Sequence, residues 1–395
     1  MLRQLLIDTT PKGQILLNIF KLVHQMGPIC KADLLSHTSL KLSTLSRNVD
    51  ELVRRGVLRE SGIAEIDRGR PPVLYEIDRK CGFIIGISIT RTNTSIVLLD
   101  LHYHPVEHES FVMTSLHTPD FVLSKIENII ENFLIRNGLE IDQLLGIGIA
   151  SVGKLDKENG VIVKHGDSYL DWIDIPVVER LKKKFAVKIL LENVPNAALL
   201  GEYRYSKPLE KNILYWIIGG WGIGCGIMTD GQILDSKQVD IDGYNHMIID
   251  INGRQCSCGR KGCLITYASP YHIFELQKRD SSINFNPDKL STVPIHDLME
   301  FLKQGDRLTD KIVMESAHYL GVGISNIANI FQSEMIIING PLPDQYPNFF
   351  NRMQETIVDN LIQDKKIKFS QGALKKDATA IGAAMYILDS YLSND

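Results

Sequence analysis

Three of the chain's six cysteines, Cys256, Cys258 and Cys263, fall inside one short run, Cys256-Ser-Cys-Gly-Arg-Lys-Gly-Cys263. His246 stands just upstream and completes a Cys3His set of the kind that holds zinc tetrahedrally. Thiolate-rich donors favour zinc over a hard, oxygen-seeking ion such as magnesium. Gly259 and Gly262 let the backbone fold back so that closely spaced sulfurs can face one centre. The alternative is a disulfide plus a spare thiol, yet three clustered cysteines leave one unpaired. Four protein ligands would close the site, so a structural Zn2+ on His246, Cys256, Cys258 and Cys263 is expected. His246 carries a further reading. One ring nitrogen on the metal would leave the other for a ligand, or the residue is simply a buried, hydrogen-bonded histidine. Cys30, Cys81 and Cys225 are scattered and read as packing residues.

A chain of 395 residues has room for two or three domains around such a loop. With 44% hydrophobic and 23% charged residues it has the composition of a globular protein. No apolar run approaches the roughly 18 residues that would span a bilayer. Its first residues lack the apolar core and cleavage site of a signal peptide, and sparse cysteines suit a reducing compartment, so a cytoplasmic location is expected. Charge is unevenly spread. Residues 1–80 hold 13 Lys and Arg against 9 Asp and Glu, and the remainder holds 30 against 38. A basic start on an acidic body suggests that the N-terminal part meets a polyanion.

The first 80 residues fit that suggestion. Ile15, Leu16, Ile19, Phe20 and Val23 form a helical stripe over 11–26, and a shorter helix is expected around 31–37. A third helix begins near Leu42, with Ser43 as N-cap, Leu45, Val49 and Leu52 inward and Gly56 as the stop. That leaves Thr44, Ser46, Arg47 and Asn48 on the outward N-terminal face, where a recognition helix meets base edges and phosphates. Two short strands follow, around 57–62 and 73–77, and Asp67-Arg-Gly-Arg-Pro-Pro72 lies between them as the wing of a winged helix-turn-helix. Arg68 or Arg70 would enter a narrow minor groove. The alternative is an ordinary three-helix module with a solvated basic loop. The expected partner is a double-stranded DNA operator.

Beyond Gly82 the periodicity changes to paired strands at 83–90 and 95–100, a helix over about 120–137 and a strand at 145–150. A strand and glycine turn return at 215–226. Two β-rich starts, each followed by helices, suggest two α/β lobes around a cleft.

The order of motifs over nearly the whole chain resembles the ROK family (repressors, open reading frames and kinases). It runs through the wing ending in Arg70-Pro-Pro72, Gly146-Ile-Gly-Ile-Ala150, Leu191-Glu-Asn-Val-Pro-Asn-Ala-Ala198 and the glycine loop at 219–226. His246 and the cysteine run follow, then Leu320-Gly-Val-Gly with Asn326, and Asp377-Ala-Thr-Ala-Ile-Gly-Ala-Ala384. The resemblance implies an α/β fold in which a winged helix-turn-helix precedes a two-lobed, actin-like ATPase body of the sugar kinase and ribonuclease H-like type. The implied division is 1–80 for the DNA-binding domain, 81–190 plus 373–395 for the first lobe and 191–372 for the second lobe with the zinc loop. It also implies a repressor of carbohydrate-related genes acting as a homodimer or homotetramer.

The resemblance further implies that the kinase chemistry is lost. In ROK kinases an aspartate takes the proton of the attacking hydroxyl; Val194 stands at that position and cannot. Ser88 and Thr90 replace the aspartate and glycine of the first phosphate motif, and Trp221 replaces a small hydroxyl residue in the second. Asn193 and His246 are kept from the family's sugar site, whereas Val194, Gly243 and Ile265 occupy its three carboxylate positions. Asp171 and Asp242 would partly compensate in holding a sugar-like effector, or are solvated loop charges. Two further readings stand beside this one: an active sugar kinase with an appended DNA-binding domain, and a regulator that senses thiol or zinc state.

Overall fold

Residues 2–64, 71–114, 116–165, 172–234, 241–280, 293–362 and 366–393 are described by the computed structural model. The N-terminal head begins with α1 (Leu2–Leu6) and α2 (Pro11–Met26), the latter capped by the Thr10 side chain and opened by Pro11. β1 (Ile29–Cys30), α3 (Lys31–Ser36) and α4 (Leu42–Arg54) follow. β2 (Leu58–Ile63) and β3 (Val73–Ile77) pair antiparallel, β3 also pairs with β1, and an Ala64–Pro72 backbone bond extends the hairpin stem. This is the winged helix-turn-helix that the sequence led us to expect. α4 stops where Gly56 turns with φ of +65°.

The body's first sheet has the order β11-β7-β4-β5-β6. It is built from β4 (Phe83–Ile89), β5 (Asn93–Asp100) and β6 (Pro105–Val112), which meander antiparallel, and from β7 (Leu144–Ser151) and β11 (Lys188–Asn193), which join parallel. β4 and β7 are apolar and buried along their whole length, as strands covered on both faces must be. α5 (Pro119–Arg136) precedes β7. A side sheet of β8 (Lys154–Asp156), β9 (Val161–Lys164) and β10 (Ile173–Ile175) leads through α6 (Val177–Lys182) into β11, and α7 (Val194–Ser206) leaves directly from its end. The boundary expected between residues 190 and 191 therefore cuts through a strand that belongs wholly to this sheet.

The second sheet has the order β14-β13-β12-β15-β16. β12 (Ile213–Ile218), β13 (Ile223–Thr229) and β14 (Gln232–Ile233) are consecutive antiparallel strands. A helical layer follows: α8 (Ile265–Ala268), α9 (Pro270–Asp280), α10 (Pro294–Lys303) and the long α11 (Arg307–Ile330). β15 (Met335–Asn339) then joins β12 in parallel, with α12 (Pro341–Gln345) and α13 (Pro347–Asp359) before β16 (Lys368–Ser370).

The final helix, α14 (Ala378–Leu392), lies across the first sheet and against α7. The approach is so close that a Cβ at Gly148 would stand 1.8 Å from the Ala383 carbonyl oxygen, so only glycine fits there. One apolar cluster contains Leu16, Phe20, Leu45, Val49 and Leu52 of the head, Leu2 and Leu5 of α1, Leu99 and Leu145 of the sheet, and Ile387 and Leu388 of α14. Head and body thus share a continuous core.

Candidate DNA-binding face, metal cluster and effector cleft

On α4, Ser43 and Arg47 are exposed, and Thr44 and Ser46 are half-buried. Arg47 makes no hydrogen bond or ion pair among the described residues. Four other head cations are engaged: Lys12 and Arg55 pair with Glu51, Lys31 with Asp50 and Arg59 with Glu76. Two expectations are corrected here. Asn48 is only 3% exposed and its amide donates to the Thr44 carbonyl at 2.8 Å, because helical spacing puts it on the same inward face as Leu45, Val49 and Leu52. Ser43 does not cap α4; the helix starts two residues earlier than that cap would place it, Lys41 holds the cap position, and no side-chain cap bond forms. Lys41 itself is exposed and beside Ser43, a candidate phosphate contact that the search for a polar cap passed over. Arg68 and Arg70 lie outside the described residues.

The cysteine run folds as a small knuckle. Ile248 bridges Cys263, Gln255 bridges Lys261, and Cys256 N–H donates to the Arg260 carbonyl at 2.9 Å. Gly259 and Gly262 have φ of +88° and +75°, and any Cβ at Gly262 would collide with the Asp250 backbone. Tyr267 braces the loop, accepting from Arg254 N–H and reaching the Asp250 carboxylate, while the Arg254 guanidinium lies 4.2 Å from its ring centre. The result brings one donor atom each from His246, Cys256, Cys258 and Cys263 within 4.8 Å of one another. His246 Nδ1 is 3.4 Å from Cys256 Sγ, and Cys258 Sγ is 3.6 Å from Cys263 Sγ. Sulfurs bound tetrahedrally to an ion at ~2.3 Å would sit about 3.7 Å apart, so the spacing fits a closed four-ligand metal site. All six cysteines are free. Arg260 beside Cys258 lowers the pKa of that thiol to about 6, whereas burial raises that of Cys263.

The candidate effector cleft is placed where strand ends of the two sheets approach, as Pro195 against Gly224 and Gly226 shows, the usual ligand-binding position in α/β folds. Asn193 ends β11 and caps α7. Its Oδ1 accepts Asn196 N–H at 2.8 Å, whereas its buried Nδ2 has no partner among the described residues. Beside it, Glu192 is 6% exposed, accepts Asn193 N–H, and is clamped by Lys157 Nζ at 3.0 Å from both oxygens. Neither Lys157 nor Glu192 was singled out from sequence, because only the fold brings the β8–β9 hairpin to the end of β11. Val194 is 2% exposed and packs with Ala150, Ala197 and Ala383, an apolar setting with no proton acceptor at the family's base position. Pro195 lies against Gly224 and Gly226 of β13, and Asn245 Nδ2 donates to the Ile223 carbonyl at 3.0 Å. Through β13 the start of α7 and the loop bearing His246 are joined.

Around this cleft Ser88 is buried in β4, and Thr90 Oγ1 is occupied by the Asn93 backbone. The Trp221 ring stacks on Tyr271, with centroids 5.0 Å apart and planes at 10°. Gly243 is exposed and Ile265 half-buried, so neither supplies a carboxylate. His165 is fully buried against Trp172, and burial pushes its pKa down to about 4. Asp171 and the Asp242 side chain lie outside the described residues.

A ROK family profile matches residues 84–390. The xylose repressor of Bacillus spizizenii is 25% identical over 377 residues, covering 95% of this chain and 94% of its own. A crystal structure of a ROK family transcriptional regulator, a homologue of Escherichia coli Mlc, superposes with a TM-score of 0.77 at 23% identity, over 96% of this chain and 97% of its own. The ROK family glucokinase from Streptomyces griseus, solved with glucose and AMPPNP, superposes with a TM-score of 0.63 at 20% identity; it covers 77% of this chain and 99% of its own. The kinase thus covers 77% of this chain, and the regulators 95% and 96% of it. The chain belongs to the ROK family.

Proposed function

We propose that a sugar-like effector enters the cleft at Asn193 and His246 and changes the DNA affinity of the head, with pentoses such as D-xylose as the first candidates. The chain is a DNA-binding transcriptional regulator of the repressor type and not an enzyme. The observation that carries this is the pairing of a winged helix-turn-helix with a kinase-like body whose base position is the buried Val194. The similarity to xylose repressors supports the choice of sugar.

The unpartnered Asn193 amide supplies a donor for a sugar hydroxyl, and His246 Nε2 supplies another group once Nδ1 faces the cysteines. Zinc is the ion that the three thiolates and one imidazole fit, and its role would be to hold the loop that carries His246. On the head, Lys41, Ser43, Thr44, Ser46 and Arg47 form the face offered to the major groove, with Arg68 or Arg70 in the wing. A homodimer or homotetramer would read paired half-sites in an operator. No described helix is long and apolar enough to cross a membrane.

Titrating the chain with DNA from its own upstream region, with and without D-xylose and a panel of sugars, sugar phosphates and sugar acids, tests the reading. Expected are tight, salt-dependent DNA binding and one sugar that alters it. ATP-dependent sugar phosphorylation would overturn it.

A further inference from the structure

The turn between β5 and β6 is tied to the head on one side and lies beside the cleft helix on the other. Asp100, 8% exposed, accepts His102 N–H at 2.8 Å and His104 N–H at 2.9 Å, and Tyr103 N–H donates to its carbonyl. This clamp holds Tyr103 at φ of +61°, a left-handed conformation that a bulky side chain adopts at a cost. The neighbours of the turn show what the strain achieves. The His102 ring Nε2 is 2.9 Å from the carbonyl of Ile77, the last residue of β3 in the head. Tyr103 Oη is 3.4 Å from His24 Nε2 on α2, the two rings meet edge to face, and His24 stacks on Phe20 in the head core.

On the body side stand Arg204 near the end of α7 and Asp389 near the end of α14. Their ion pair is two-pronged, with Arg204 Nε and Nη2 at 3.2 and 2.8 Å from the same carboxylate oxygen. Tyr103 packs against the apolar cluster that holds Leu200 of α7 and Leu388 of α14, and burial with Asp389 nearby raises the pKa of its hydroxyl. At its other end, about 20 Å away along 13 residues, α7 begins with Asn193 and its unpartnered amide. α7 cannot deform locally against α14. A Cβ at Gly382 would stand 1.7 Å from the Ala197 oxygen, and one at Gly201 would stand 2.6 Å from the Ala378 oxygen. A change at the α7 N-terminus is therefore passed along the helix as a unit to the end that carries Arg204, which is held by Asp389 of α14.

We propose that Tyr103, His24, Arg204 and Asp389 form the joint through which the cleft end of α7 and the DNA-binding head sense each other. These are positioning residues, since none reaches the metal cluster or the α4 face. The sugar half of the proposal rests on the reading of the cleft as an effector site; the DNA half does not.

The test uses the full chain, its upstream DNA and D-xylose, with Arg204→Gln and Tyr103→Phe as separate variants whose thermal melts are compared with the parent. The first readout is hydrogen exchange at the start of α7. DNA binding changes protection of residues 194–198 in the parent, and this change is lost in Arg204→Gln. The second is the ratio of DNA dissociation constants with and without D-xylose, about tenfold or more in the parent and below about twofold in either variant, while calorimetric D-xylose binding persists. No DNA-dependent change at α7 in the parent, or the parent's ratio in both variants, overturns the joint. If D-xylose fails to bind while the α7 change appears and is lost in Arg204→Gln, the sugar reading falls and the joint stands.

Discussion

A Cβ placed on Gly220 would stand 2.8 Å from the Thr92 methyl carbon, so the β12–β13 turn and the β4–β5 turn are in contact. In a nucleotide-binding relative these two turns would flank phosphates. Here one is pressed on the other, and Trp221 is stacked away on Tyr271. Restoring the base alone should therefore not restore chemistry. Val194→Asp is expected to give no ATP turnover in a coupled assay with hexoses or pentoses. It should also lower the melting temperature, since a carboxyl buried among alanines costs about 1–3 kcal/mol or more. Measurable turnover would sink the view that phosphate binding is lost as well.

Arg47→Ala should weaken DNA binding and reduce the salt dependence of log K by about one unit, as loss of one phosphate contact does. Asn48→Ala should behave differently. Its amide bonds back to Thr44 inside the head, so thermal stability should drop by about 1 kcal/mol while the salt slope stays the same. Equal salt slopes for the parent and Arg47→Ala would remove Arg47 from the interface.

Metal analysis of the purified chain should find one zinc per chain at the four-donor cluster. Cys263→Ser should abolish it, and a strong chelator should increase proteolysis within 246–264 before the head unfolds. A preparation with full thermal stability and no bound metal would refute the structural role.

Acid should destabilise the chain over a defined window. Burial pushes the pKa of His24 down to about 4 from the ordinary 6.5, with Arg204 and His102 adding to the effect, and His165 is likewise near 4. Between those values the unfolded chain binds protons that the folded chain refuses, so stability falls as pH drops from about 6.5 to 4, by up to about 3 kcal/mol per histidine. His24→Gln should shrink this loss in melts at pH 7 and 4.5. An unchanged pH dependence would show that His24 is not held neutral.

Gly382→Ala is expected to force α7 from α14 and to cost about 1–3 kcal/mol or more, because backbone, not a movable side chain, stands in the way. Gly219→Ala, with its nearest neighbour at 3.5 Å, serves as the mild control. Comparable melts for the two would contradict the tight helix contact.

The helices of the head were legible because their apolar stripes are strictly periodic, and Leu45, Val49 and Leu52 are indeed buried. Asn48 was misplaced because polarity was read as exposure, although its position on the same face decides its burial. The gathering of His246, Cys256, Cys258 and Cys263 could be read from spacing, since local turns bring their donor atoms together. Lys157, Glu192 and the Tyr103–His24 joint could not, because they meet only across long sequence separations. The α4 cap was off by two for a simpler reason: a serine suited to capping does not cap when the backbone has already entered the helix.

The shared core of head and body also has a consequence for synthesis. Ile387 and Leu388 of α14 pack in the same apolar cluster as Phe20, Leu45 and Leu52. Domains ordinarily fold in the order in which the ribosome releases them. This head emerges early yet lacks part of its packing until the last helix is made. A chain cut before α14 should thus carry an incompletely packed head, and its DNA binding should weaken for want of a helix distant in sequence.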